Sequence, residues 1–346
     1  MRERRLFPLV ELTAARVREF LREPEAVFWV FAFPVLLALA LGFAFRQKAP
    51  ERVPVGVVEG PGAAAAAEAL SRSPALKPRV LSAYEGAEAL RTGKVSLLVT
   101  PGDPPAYRFD PTRPDARVAR LEVDDALQRA AGRVDPLAPR EEPVSETGGR
   151  YVDFVVPGLL GLNLMGTGMW GIGFSIVNAR TRKLLKRLVA TPMRRSDYLL
   201  SQILARLVFL AAEVAVLVGF GWAALGVAVR GSLALLGLVC LTGAMSFAGL
   251  GLLVAARART AEGVSGLMNL VMLPMWIVSG VFFSSERFPD AARPFIDALP
   301  LTALNDALRG VMNEALPLSG VLGELGVLAL WGVASFALAL WLFRWR

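Results

Sequence analysis

Arg180-Thr-Arg-Lys-Leu-Leu-Lys-Arg-Leu-Val-Ala-Thr-Pro-Met-Arg-Arg-Ser196 is a short polar stretch between two long apolar runs. Seven bases, Arg180, Arg182, Lys183, Lys186, Arg187, Arg194 and Arg195, face one nearby acid, Asp197. Leu184, Leu185, Leu188 and Val189 recur at helical spacing, which predicts a short amphipathic helix stopped at Pro192. A basic loop this compact between two apolar spans belongs on the cytoplasmic side of a membrane. Its apolar stripe needs cover, and a groove on a partner protein is one answer.

Outward from that loop, the chain is apolar enough to make membrane residence the governing expectation. Hydrophobic residues make up 54% of its 346 residues, the mean hydropathy is +0.49 and the formal charge is +8. Bases beside apolar spans are topology signals, so the sequence pI of about 10.2 does not imply a nucleic-acid partner. Histidine is absent and Cys240 is the one cysteine. That composition excludes disulfides, Cys/His zinc sites and Ser-His-Asp or Cys-His nucleophiles. No G-x-x-x-x-G-K-[ST] occurs, so the chain carries no P-loop of its own.

Six spans are expected. Ala26 to Phe45 comes first, then Val152 to Val177, Tyr198 to Leu225, Leu233 to Ala255, Val264 to Phe283 and Leu325 to Phe343. Before them, residues 1–25 place Leu6, Val10, Ala14, Val17 and Leu21 on one helical face, the pattern of a helix lying in the membrane interface. Arg257, Arg259, Arg344 and Arg346 flank the later spans, whereas the alternate loops are neutral or acidic. The bias puts both termini and the basic loop in the cytoplasm, and residues 47–150 outside the plasma (inner) membrane. Pro289, Pro294, Pro300 and Pro317 break the stretch 284–320 into pieces too short to span, read as interfacial or re-entrant.

Residues 47–150 read as a small α/β domain. Strands are expected at 53–58, 79–82, 95–100 and 106–109, with helices at 63–71, 84–91 and 115–131. The last helix has Val118, Leu121 and Leu127 as its main apolar positions. Gly60-Pro-Gly62-Ala-Ala-Ala65, with Glu85 beyond the next strand, imitates a dinucleotide fingerprint. A Pro-Gly turn before an Ala-rich helix accounts for it equally well, and an external domain meets no nucleotide pool.

Two features carry the chemistry of the spans. Gly158, Gly161, Gly168 and Gly171, with Met165 and Ser175, form a small-residue stripe that permits close helix approach. Glu213 lies near mid-membrane, roughly 22 Å from Tyr198 at the helical rise. It is open to two readings: a functional group contacting cations or protons, or a carboxyl hydrogen-bonded to a neighbouring helix at Asn163 or Asn269. Arg206, nearer the cytoplasmic end, is expected to snorkel.

Four stretches in order resemble one family. They are Tyr151-Val-Asp-Phe-Val-Val-Pro-Gly-Leu-Leu-Gly161, Lys186-Arg-Leu-Val-Ala-Thr-Pro-Met-Arg-Arg195, Leu273-Pro-Met-Trp-Ile-Val-Ser-Gly-Val-Phe-Phe283 and Pro300-Leu-Thr-Ala-Leu-Asn-Asp-Ala-Leu-Arg309. With the six spans, they make the chain similar to the membrane subunit of ABC-2-type exporters, the type V fold of ABC transporters. The resemblance implies a dimer with itself or a similar subunit, and two copies of a cytoplasmic ABC ATPase that bind the ATP and Mg. This chain would then bind no cofactor or metal, and its remaining partners would be membrane lipids. The resemblance also implies ATPase coupling through Arg180, Arg182, Lys183, Lys186, Arg187, Leu188, Thr191, Pro192, Arg194 and Arg195. A path or subunit interface would involve Gly158, Gly161, Asn163, Met165, Gly168 and Glu213, with Asn269, Pro274, Ser279 and Gly280 of the fifth span. The Glu-Arg pair and Gly-Thr usual before the basic helix are replaced by Asn178-Ala-Arg180-Thr. Rival readings are an ion-coupled secondary transporter using Glu213 and a mechanotransmitting ABC permease, the latter usually with four spans. A hydrophobic or amphipathic cargo fits a path with few fixed charges.

Overall fold

A computed structural model describes residues 3–45, 52–134, 136–137, 140, 149–181, 195–258 and 260–342. It divides into two units: 1–46 with 145–346, and 47–144. Helix α1 (Glu3–Leu21) precedes α2 (Pro24–Ala44), which contains one π turn at Phe28–Ala32. On α1, Val10 and Leu21 of the expected apolar face are exposed, and Phe20, beside that stripe, packs against Phe31 of α2 and against Phe209.

The second unit is a four-stranded sheet with helices. Its elements are β1 (Val53–Val58), α3 (Ala63–Ser71), β2 (Leu76–Leu81), α4 (Ala83–Arg91), β3 (Leu97–Thr100), β4 (Ala106–Arg108) and α5 (Pro114–Ala130). Strand order is β2-β1-β3-β4, parallel except for β3–β4, with Val55 opposite Leu97 and Val57 opposite Val99. β2 starts earlier than expected and carries Pro78 as an edge strand can, since its missing N–H costs no ladder bond there. On α5 the expected apolar positions Val118 and Leu121 are exposed, and Ala116, Ala119 and Val123 are buried instead. Small residues let this helix lie close to its neighbours, so alanines rather than the larger side chains set its rotation. Gly62, at φ +83°, supplies the left-handed turn into α3. Glu85 closes a capping box with Ser82 at the start of α4, and these bonds hold its pKa below the usual value. Both ends of the apparent fingerprint thus have local structural work.

The first unit continues with α6 (Tyr151–Thr181), α7 (Arg195–Leu225), α8 (Leu233–Arg257), α9 (Ala261–Val278), α10 (Arg293–Asp297), α11 (Pro300–Met312) and α12 (Leu322–Leu342). Among the described residues, six helices are long and apolar enough to cross a membrane: α2, α6, α7, α8, α9 and the helix ending at Leu342. The core runs along α6, which packs on α2, α7, α8, α9 and α11. The fifth span is shorter than the expected 264–283. Its helix stops at Val278, and Gly280 takes φ +70° to turn the chain.

Within 284–320, α11 is buried along nearly its whole length between α6, α8 and α12. Its terminal carbonyls would otherwise lack partners. Arg230 N–H and Gly231 N–H donate to Met312 and Val311 at 3.0 Å each. A side chain on Gly231 would collide with the Val311 carbonyl, so glycine permits the approach.

Candidate functional site

Prolines set the polar architecture of the spans. Pro34 has no N–H to return to the Val30 carbonyl one turn earlier. Asn163 Nδ2, from α6, donates to that carbonyl at 3.1 Å, at the level of the π turn. Pro157 likewise leaves the Asp153 carbonyl without its helical donor, and Asn313 Nδ2 fills the gap at 2.8 Å. Arg309 stacks over the Phe154 ring at 3.8 Å and donates to the Gly280 carbonyl, while Asn305 Nδ2 donates to the Ser279 carbonyl at 2.7 Å. In lipid each of these carbonyls would be costly if left unmet, so the donors fix which helices touch.

The second polar centre joins α6 to α7. Arg206 and Glu213 are seven residues apart, two turns of one helix, and so share a face. Arg206 Nη1 lies 3.1 Å from Glu213 Oε1, and Arg206 Nη2 donates to Thr167 Oγ1 at 2.8 Å. The Thr167 hydroxyl has one proton to give, with Glu213 Oε2 at 3.0 Å and the Asn163 carbonyl at 2.9 Å in reach. Glu213 is only 2% exposed. Two expectations are corrected here. Glu213 meets Arg206 and Thr167 rather than Asn163 or Asn269, and Arg206 turns to the carboxylate rather than snorkelling. A carboxylate buried this deeply needs a partner, and Arg206 lies two turns away on the same helix face, within reach of it. The i, i+7 spacing of an acid and a base within one span was the signal available for this pair.

The other candidate residues fall in three places. Arg182, Lys183, Lys186, Arg187, Leu188, Thr191, Pro192 and Arg194 lie outside the described residues, as does the helix stop expected at Pro192. Arg180 stands in the last turn of α6 and Arg195 opens α7. Gly158, Gly161, Asn163, Met165 and Gly168 are all buried within the chain. Gly158 backs onto the Val281 carbonyl, Gly161 onto the Asn305 side chain and Gly168 onto Phe247. The small-residue stripe therefore serves close packing of α6 on its own neighbours, and the exposed side of α6 carries Gly171 and Ser175. On the fifth span, Asn269 and Pro274 are exposed, whereas Ser279 and Gly280 are buried under α11.

Comparison with known proteins places the chain in a family. The profile described as ABC-2 family transporter protein matches residues 25–341, from the first span to the last. The chain belongs to the ABC-2 transporter family. ABC transporter G family member 20 of Dictyostelium discoideum is 26% identical over 169 residues, covering 49% of this chain and 23% of that protein. Nodulation protein J of Rhizobium leguminosarum bv. viciae is 32% identical over 108 residues, 31% of this chain and 41% of that protein. The chain thus spans less than half the length of these curated relatives. As an ABC-2 family member with six candidate spans, it is a multi-pass membrane component.

Proposed function

We propose that this chain is the permease subunit of an ATP-driven ABC exporter, working with two copies of a cytoplasmic ATPase and with a second permease, itself or a similar chain. The match of the family profile across all six spans is the observation that carries the reading. Both termini and the 180–196 segment face the cytoplasm, and 47–150 lies outside, by the distribution of Arg and Lys. α6 and α7 flank the basic segment, so a partner seated on it acts on the second and third spans first. ATP and Mg bind to the partner, whose closure pushes that segment. The two permeases then move against each other and expel a hydrophobic or amphipathic cargo from the cytoplasm or inner leaflet. Ion coupling through Glu213 gains no support from the geometry, because both carboxylate oxygens are engaged.

The test is purification of the tagged chain from its native membrane, with assay of the ATPase that accompanies it. A stoichiometric ABC ATPase is expected, and reversing the charge of Arg187 and Arg194 should uncouple or release it. A chain that comes down alone, with no nucleotide sensitivity, overturns the reading.

A further inference from the structure

We propose that Arg206, Glu213 and Thr167 form a positioning clasp that makes the second and third spans answer a push on the 180–196 segment as one body. The inference rests on the coupling role proposed above and adds how the push is carried into the membrane.

The third span needs such a device. Like the first, fifth and last spans, it is little buried within the chain, 22% against 72% for the second span. Apolar side chains gain little by leaving lipid for a neighbouring helix, so packing alone holds α7 weakly on α6. Polar contacts therefore decide their register. One set lies at the far end, where Arg150, just before α6, donates to the Leu225 and Gly226 carbonyls at 3.2 and 3.0 Å. The clasp is the second set. It sits roughly 16 Å along α7 from Arg195 and roughly 21 Å along α6 from Thr181 at the helical rise. Two attachments at different heights prevent both sliding and splaying, which one attachment cannot do.

The clasp also reaches a third helix. Thr167 contacts the carbonyl of Asn163, whose side chain holds Val30 of the first span. One turn of α6 thus gathers α2 and α7 on one side. Both Glu213 oxygens, the Thr167 hydroxyl and the two Arg206 Nη groups meet one another, whereas the buried Arg206 Nε has no hydrogen-bond partner among the described residues; Glu213 is thus engaged in holding α7 rather than a ligand.

The experiment measures whether α6 and α7 move together. In a Cys240→Ala background, spin labels are placed at the exposed positions Ser175 of α6 and Val208 of α7. Distances are read in lipid nanodiscs with the co-purified ATPase, before and after trapping with ATP and vanadate. With labelled chain diluted into excess unlabelled chain, the parent should give one narrow distance that trapping does not shift. Thr167→Val and Glu213→Gln should each lose the single peak and gain a second population, enlarged by trapping. The exchange Arg206→Glu with Glu213→Arg should restore the single peak. A narrow, unshifted peak in both single variants overturns the clasp, as does a parent peak that moves on trapping. If Glu213→Gln fails to reach the membrane, Thr167→Val decides alone. If no ATPase accompanies the chain, the coupling role fails separately, and the peak widths of the isolated permease still judge the clasp.

Discussion

The two units of this chain place their polar groups in opposite ways. In the α/β unit the sheet core is apolar, built from Val55, Val57, Leu97 and Val99, and the carboxylates stay near the surface as caps and ion pairs. In the membrane unit polar groups go inward: Asn163, Glu213 and Asn305 are buried, each with a backbone or charged partner on another segment or another turn. The contrast follows from the two solvents. Water drives apolar side chains together and solvates any polar group left outside. Lipid gives apolar helices little reason to associate but penalises an unmet carbonyl heavily, so hydrogen bonds specify the neighbours.

The sharpest break of this comparison is expected in the sheet. Leu97 is fully buried, and Leu97→Ala should cost about 2–5 kcal/mol from lost transfer energy and the cavity left behind. Hydrogen exchange at β1 and β3 in the intact chain would register it, while the spans keep their protection. An unchanged exchange rate in the strands would mean that this core does not hold the unit together.

A smaller effect is expected in the spans. Asn163→Leu keeps the bulk but leaves the Val30 carbonyl beside Pro34 without its donor, at a cost of about 0.6–2 kcal/mol for an interhelical hydrogen bond in a membrane. Thermal unfolding in detergent should show a modest fall in midpoint, with faster exchange confined to the first span. A loss as large as that of Leu97→Ala would erase the proposed difference between the units.

The smallest effect is expected at the surface of the α/β unit. Arg113 holds the Asp115 carboxyl below its usual pKa, assisted by a bond from Ser96 Oγ at 3.0 Å. A pKa lowered in the folded state contributes stability that is present above the unfolded value of about 3.9 and is lost as pH falls through the folded one. Asp115→Asn should therefore be slightly less stable at neutral pH, with the gap closing below about pH 4. Because Asp115 is half-exposed, solvent screens the pair and the difference stays small. Local exchange of α5 across a pH series would measure it, and a constant gap would assign the contribution to packing.

Hydropathy, charge and residue period by themselves determined the membrane class, the six apolar runs and the intervening α/β segment, while the family resemblance came from four quoted motifs in order. The first three are properties of local composition and period, which lipid and water impose on any chain. Prolines 34 and 157 were visible in the sequence, but which asparagine would meet the freed carbonyls was not. That choice depends on helices more than a hundred residues apart coming into contact. The rotation of α5, the early stop of α9 at Val278 before the turn at Gly280, and the turn of Arg206 toward Glu213 were likewise decided by tertiary structure. In each case a close backbone approach or a buried partner outweighed the local preference, and neither can be read from neighbours in sequence.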